Sequence, residues 1–104
     1  MINNPIAPNI IRYNSCINAE KLLGANVAAE IVQANSGRAY FAAINNSNSE
    51  ITLILGETSA GGVDKGIVLN PNGGSYEINS CNLYVGKICA ISATNSKLSF
   101  VECR

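Results

Sequence analysis

The sequence predicts an all-β protein: a single antiparallel β-sandwich, jelly-roll-like, or a small barrel, with an extended N-terminal arm. Three observations carry that expectation. Arg38 to Leu55 reads as an apolar run, an Asn/Ser-rich turn and a second apolar run, with side chains alternating at period two. From Ala28 onward, turn signals recur about every 8–12 residues, the spacing of short strands in sandwiches and barrels. After residue 28 no amphipathic helix longer than two turns can be drawn.

Residues 1–27 read as an arm and 28–104 as the sandwich domain. In the arm, Pro5 and Pro8 bias the backbone toward extended forms, and Asn3, Asn4, Asn9, Asn14 and Asn18 disfavour regular structure. Ile6, Ile10, Ile11 and Tyr13 are large apolar groups for a free tail, so they are the candidate contacts with a neighbouring subunit or the arm's own domain. Asn18 to Gly24 fits one helical turn, capped by Asn18 and ended by Gly24.

In the domain, Ala28 to Gln33 is the first expected strand, ended by Asn35-Ser36-Gly37. The two runs within Arg38–Leu55 then form the expected central hairpin. Gly56 to Gly66 carries four glycines but lacks the GxxxxGK[ST] pattern of a phosphate cradle, so it reads as a mobile surface loop. Gly66 to Leu69 is a short strand, Asn70-Pro-Asn-Gly-Gly74 a turn, and Ser75 to Ile78 the returning strand. Leu83 to Gly86 is expected as another strand. A last hairpin would join Lys87–Ala93 to Lys97–Glu102 and set Ile91 near Ser99 and Cys89 near Val101.

Composition excludes more than it assigns. Seven basic and seven acidic residues cancel, and no basic stripe exists to follow a phosphate backbone, so nucleic acid is not an expected partner. No segment has the ~20 apolar residues that a spanning helix needs, and no signal peptide is evident. Synthesis in a cytoplasm is therefore expected. Low charge with many apolar residues suits a surface partly covered by assembly.

Histidine is absent, which removes Ser–His and Cys–His catalysis. The acids are spread one per element, so no catalytic residue and no cofactor is expected. Glu57 and Asp64 share a loop but match no defined calcium pattern. Cys16, Cys81, Cys89 and Cys103 include no CxxC pair. They read as buried small hydrophobes, as one disulfide formed in an oxidising medium, or as a zinc site of scattered thiolates. Arg38 reads as an edge arginine, its stem covering apolar surface and its head paired to Glu30 or Glu50. The tyrosines and phenylalanines read as core and rim packing rather than a sugar-stacking platform.

From residue 29 to 102 a further pattern stands out. A strand led by Arg38 and ending in Asn45-Asn46 precedes a strand ending in Gly56. Then come a G-I-x-L-x-P-x-G turn (Gly66, Leu69, Pro71, Gly73), a Y-x-G step (Tyr84, Gly86) and an A-I-S strand (Ala90, Ile91, Ser92). This succession resembles small β-sandwich structural proteins of tailed bacteriophages. Asn79–Asn82 departs from the shorter polar turn of many such proteins, and the arm has no counterpart. The resemblance implies a virion structural protein, a capsid decoration or cement protein on the outer surface of the head. Its partner would be the major capsid protein, and it would stand as a homotrimer at three-fold positions. A tail, baseplate or fibre adaptor is the alternative within the virion. A bacterial surface- or carbohydrate-binding module is the alternative outside it, and an enzyme is the remaining class.

Overall fold

The computed structural model describes residues 12–104. Ile6, Ile10 and Ile11 lie outside the described residues. Eight strands follow in order: β1 (Cys16–Leu23), β2 (Ala29–Val32), β3 (Tyr40–Asn45), β4 (Ile51–Leu55), β5 (Ile67–Leu69), β6 (Ser75–Ile78), β7 (Ile88–Ile91) and β8 (Ser96–Cys103). They form two four-stranded antiparallel sheets, β1-β8-β3-β6 and β2-β7-β4-β5, which face each other as a sandwich. The sheets do not close into a barrel.

The hydrogen-bonded pairs reveal how the chain is wound. The first strand pairs with the eighth, the second with the seventh, the third with the sixth and the fourth with the fifth. One long hairpin bent so that successive pairs alternate between sheets gives this order, which is the jelly-roll arrangement. Only the β4–β5 connection joins neighbours within one sheet.

Both expected hairpins are therefore corrected. β3 and β4 lie in opposite sheets, as do β7 and β8. Cys89 pairs with Glu30 and Ile54, while Val101 pairs with Asn18 and Ala42. A turn signal marks where the chain reverses, but the partner is set by which apolar face each arm must bury.

The core lies between the sheets. Phe41 and Ala43 of β3 and Leu98 of β8 face Ile51 and Leu53 of β4, Ile88 and Ala90 of β7 and Leu69 of β5, all buried. Period-two spacing in each strand sends these residues inward and their neighbours outward.

Crossing between sheets removes ladder partners, and buried polar side chains replace them. Asn45, fully buried, donates from Nδ2 to the carbonyls of Ser49 (2.7 Å) and Leu69 (3.0 Å) at the β3–β4 crossing. At the β7–β8 crossing, Ser92 Oγ donates to the Glu50 carbonyl at 2.7 Å and meets Ser96 Oγ at 2.8 Å. Arg38 stands at the β2–β3 crossing and is also buried. Among the described residues, no buried side-chain nitrogen or oxygen lacks a partner.

Two further expectations change. Asn18 to Gly24 is not a helical turn: Cys16–Leu23 forms β1, so the sandwich begins inside the expected arm. Seven of its eight residues are exposed, because β1 is an edge strand held by its ladder to β8 rather than by core burial. Leu83 to Gly86 is not a strand. Its carbonyls are taken instead by Asn35 N–H (Val85, 2.8 Å) and by the Arg38 guanidinium (Tyr84 and Gly86, both 2.9 Å).

The glycine-bearing connection from Gly56 to Gly66 folds back over the outer side of β2-β7-β4-β5. Asp64 N–H donates to Thr52 Oγ1 at 3.0 Å, and a Cβ on Gly61 would stand 3.1 Å from Ile54 Cγ1. Thr52, Ile54 and Cys89 are buried although they point away from the core. This segment is a cover rather than a loop standing free in solvent.

Candidate interaction surface

The outward face of β1-β8-β3-β6 is laid out by register. Cys16, Cys103 and Tyr40 form one row across β1, β8 and β3. Asn18, Val101, Ala42 and Glu77 form the next, and Glu20, Ser99, Ile44 and Ser75 the third. Ile44 (46% exposed) is the face's most exposed apolar group on β3.

Tyr13, the described member of the four candidate contacts, reaches this face. Its ring stacks on Tyr40, with centroids 5.6 Å apart and planes 18° apart, and it stays 44% exposed. Tyr40 Oη donates to Glu77 Oε2 at 2.6 Å. That hydrogen bond, with a second from Asn79, holds the Glu77 carboxyl below its ordinary range. The same bond, with burial, holds the Tyr40 phenol above its own.

Within the first row a disulfide joins Cys16 to Cys103, with Cα atoms 4.1 Å apart. Ser15 and Arg104 exchange both backbone hydrogen bonds, so Cys16–Cys103 is the next, non-hydrogen-bonded pair, where side chains approach most closely. Cys81 is free and exposed, and Cys89 is free and buried, its thiol pushed up by burial. The three sequence readings of the cysteines thus resolve into one disulfide, one buried thiol and one exposed thiol.

Below the disulfide, Ser15, Ile17, Asn35, Glu102 and Arg104 line a cleft of about 200 Å³. That is below the range usual for small-molecule sites, ~300–1,000 Å³. Its carboxylate is already engaged, since Glu102 Oε2 accepts from Arg38 Nε at 2.8 Å. Arg38 thus pairs with Glu102, not with Glu30 or Glu50.

No family model, curated protein or solved structure matches the chain.

The remaining chemistry is dispersed. Lys87 Nζ bridges Glu57 (2.9 Å) and Glu30 (3.4 Å), tying the covering segment to β2 and β7 and raising the lysine's pKa. Among the described residues no group of His, Cys, Asp and Glu is placed to hold a metal ion, and no helix is long and apolar enough to cross a membrane. The arrangement can present an open sheet face and an anchored aromatic pair. It brings Tyr13 onto Tyr40, and Tyr40 onto Glu77, two residues that the sequence does not single out as contacts. The only sequence signal for them was their place on the outward side of alternating strands.

Proposed function

We propose that this chain is a virion structural protein: a capsid decoration protein that binds the outer surface of a phage head and bridges major capsid subunits. The observation that carries the reading is the outward face of β1-β8-β3-β6, on which Tyr13 is stacked against Tyr40. Adhesion repeated in many copies lets modest individual contacts add up to a strong hold. Contact would run from Tyr13 across Ala42, Ile44 and Val101; Ile6, Ile10 and Ile11, the other proposed contacts, lie outside the described residues.

Two features support this assignment. Jelly rolls are a common architecture of viral shells, an argument by fold analogy. The Cys16–Cys103 disulfide suits a protein made in a host cytoplasm and exposed afterwards to an oxidising medium on the particle surface.

Quantitative mass spectrometry of purified particles tests the proposal. The expected result is a copy number of the same order as the major capsid protein. A few copies per hundred capsid subunits would move the chain to the tail or baseplate. Complete absence from particles would overturn the virion reading and leave a surface- or carbohydrate-binding module, with Tyr13 and Tyr40 as its aromatic platform.

A further inference from the structure

We propose that β1 is a self-pairing edge, through which two copies of this chain join antiparallel across a two-fold axis into one continuous sheet. The proposal does not rest on the shell assignment. It gives a different solution assembly from the three-fold one that the phage resemblance implies.

The four sheet edges differ in how they are protected. β5 has three residues. β2 has four and carries a register irregularity between Glu30 and Val32. β6 has four, and its Glu77 carbonyl is capped by Asn82 Nδ2 at 3.0 Å. Short length, bulges, side-chain caps and charged side chains are devices that keep edges from pairing. β1 has only the charges of Glu20 and Lys21: it runs eight residues in unbroken register with β8, contains no proline, and no described residue pairs with its outer side.

The hydrogen-bond phase of β1 defines what that edge offers. Ser15 exchanges both bonds with Arg104, so Ile17, Ala19, Lys21 and Leu23 turn their backbone groups toward β8. Cys16, Asn18, Glu20 and Leu22 turn theirs outward. The disulfide draws the Cys16 side chain toward Cys103, away from the free edge.

Charge and the number of paired backbone groups then select the register. A two-fold axis normal to the sheet sets outward-facing residues opposite outward-facing residues. Centring the pair on Glu20 opposes two carboxylates, and centring it on Lys21 opposes two ammonium groups, both unfavourable. Centring it on Asn18 or on Ala19 avoids both, and of these only Ala19 pairs all four outward-turned residues of β1 with one another. Asn18 then faces Glu20 of the second copy, twice by symmetry, and Cys16 faces Leu22. Every outward-turned N–H and C=O of β1 gains a partner. The small Ala19 side chains meet at the axis.

Sedimentation equilibrium of the oxidised protein up to millimolar concentration, together with Asn18 variants, tests this. The expected result is a monomer–dimer equilibrium. Asn18→Glu, which opposes Glu20 of the second copy, weakens the dimer roughly tenfold, and Asn18→Lys tightens it several-fold. Asn18→Pro removes an outward N–H without breaking a bond to β8 and abolishes the dimer. Ala19→Cys in a Cys81→Ser background gives a covalent dimer under mild oxidation. Asn18 is exposed, so its charge variants keep the fold. A monomer throughout, a trimer, or a dimer indifferent to the charge at position 18 would each overturn the proposal. Failure here leaves the particle copy number, and hence the shell assignment, untouched.

Discussion

The Arg38 guanidinium donates from Nε to Glu102 Oε2 at 2.8 Å while its Nη atoms reach the carbonyls of Gln33, Tyr84 and Gly86. One buried side chain thus ties β8 to the end of β2 and to the segment before β7. Removing one partner of a buried pair strands the other without solvent. Arg38→Ala is expected to cost about 3–5 kcal/mol, and Arg38→Lys to recover only part because an ammonium cannot span these acceptors. Urea unfolding checks this: a loss below about 1 kcal/mol would show that the node does not hold the crossing together.

The Cys16–Cys103 bond closes a loop with a sequence separation of 87. Chain entropy puts the upper bound for such a loop near 4–5 kcal/mol, with ~2–4 kcal/mol typical. The Cys16→Ser, Cys103→Ser double variant should fall in that typical range in chemical denaturation. Because seven residues of β1 are exposed, reduction should also release β1 locally. Hydrogen exchange should then speed up across Cys16–Leu23 before the β3 and β4 core. Uniform acceleration over all strands would argue against local release.

How much of this could be read from the residues differs by element. β3 to β8 each fall on a run that the alternation marks, and Ser75–Ile78 matches its expected bounds. β1 escaped because it is an edge strand with both faces exposed, so CINAEKLL has no apolar period to detect. The hairpins were misassigned for a different reason. The Asn45–Glu50 and Ser92–Asn95 turns announce a reversal, whereas the sheet change is enforced by buried Asn45 and Ser92, whose burial no local pattern reveals. Of the candidate surface, Tyr13 was legible as an apolar group in a polar arm. Tyr40 stacks on it from β3, and Glu77 reaches Tyr40 only through the β3–β6 register.

Glu77 and Tyr40 make the surface pH-sensitive in opposite directions. The folded Glu77 pKa is depressed, so its contribution is present above the unfolded carboxylate pKa and is lost as pH falls through the folded value. The Tyr40 pKa is raised, so its contribution is present below the unfolded phenol pKa, about 10, and is lost as pH rises through the folded value. Tyr40→Phe should move the Glu77 carboxyl titration up toward its ordinary range in a carbon-detected NMR titration. An unchanged midpoint would mean that Asn79 alone sets the shift.

The segment from Gly56 to Gly66 is expected to shield Cys89 from reagents. Cys81 is exposed and Cys89 is buried with a raised pKa, so a thiol reagent should modify one cysteine rapidly and the other only after opening. A Cβ on Gly66 would press into the Leu53 carbonyl and stand 3.0 Å from Thr52 Cγ2. Gly66→Ala should therefore lift the segment, lower stability by about 1–3 kcal/mol and accelerate the slow labelling phase. Mass spectrometry of the labelled peptides assigns each phase. If Cys89 already reacts as fast as Cys81 in the unaltered protein, the segment does not act as a cover. If Gly66→Ala lowers stability while the Cys89 rate stays fixed, the thiol is guarded by β2 and β4, its neighbours in register, and the segment only buttresses Thr52 and Ile54.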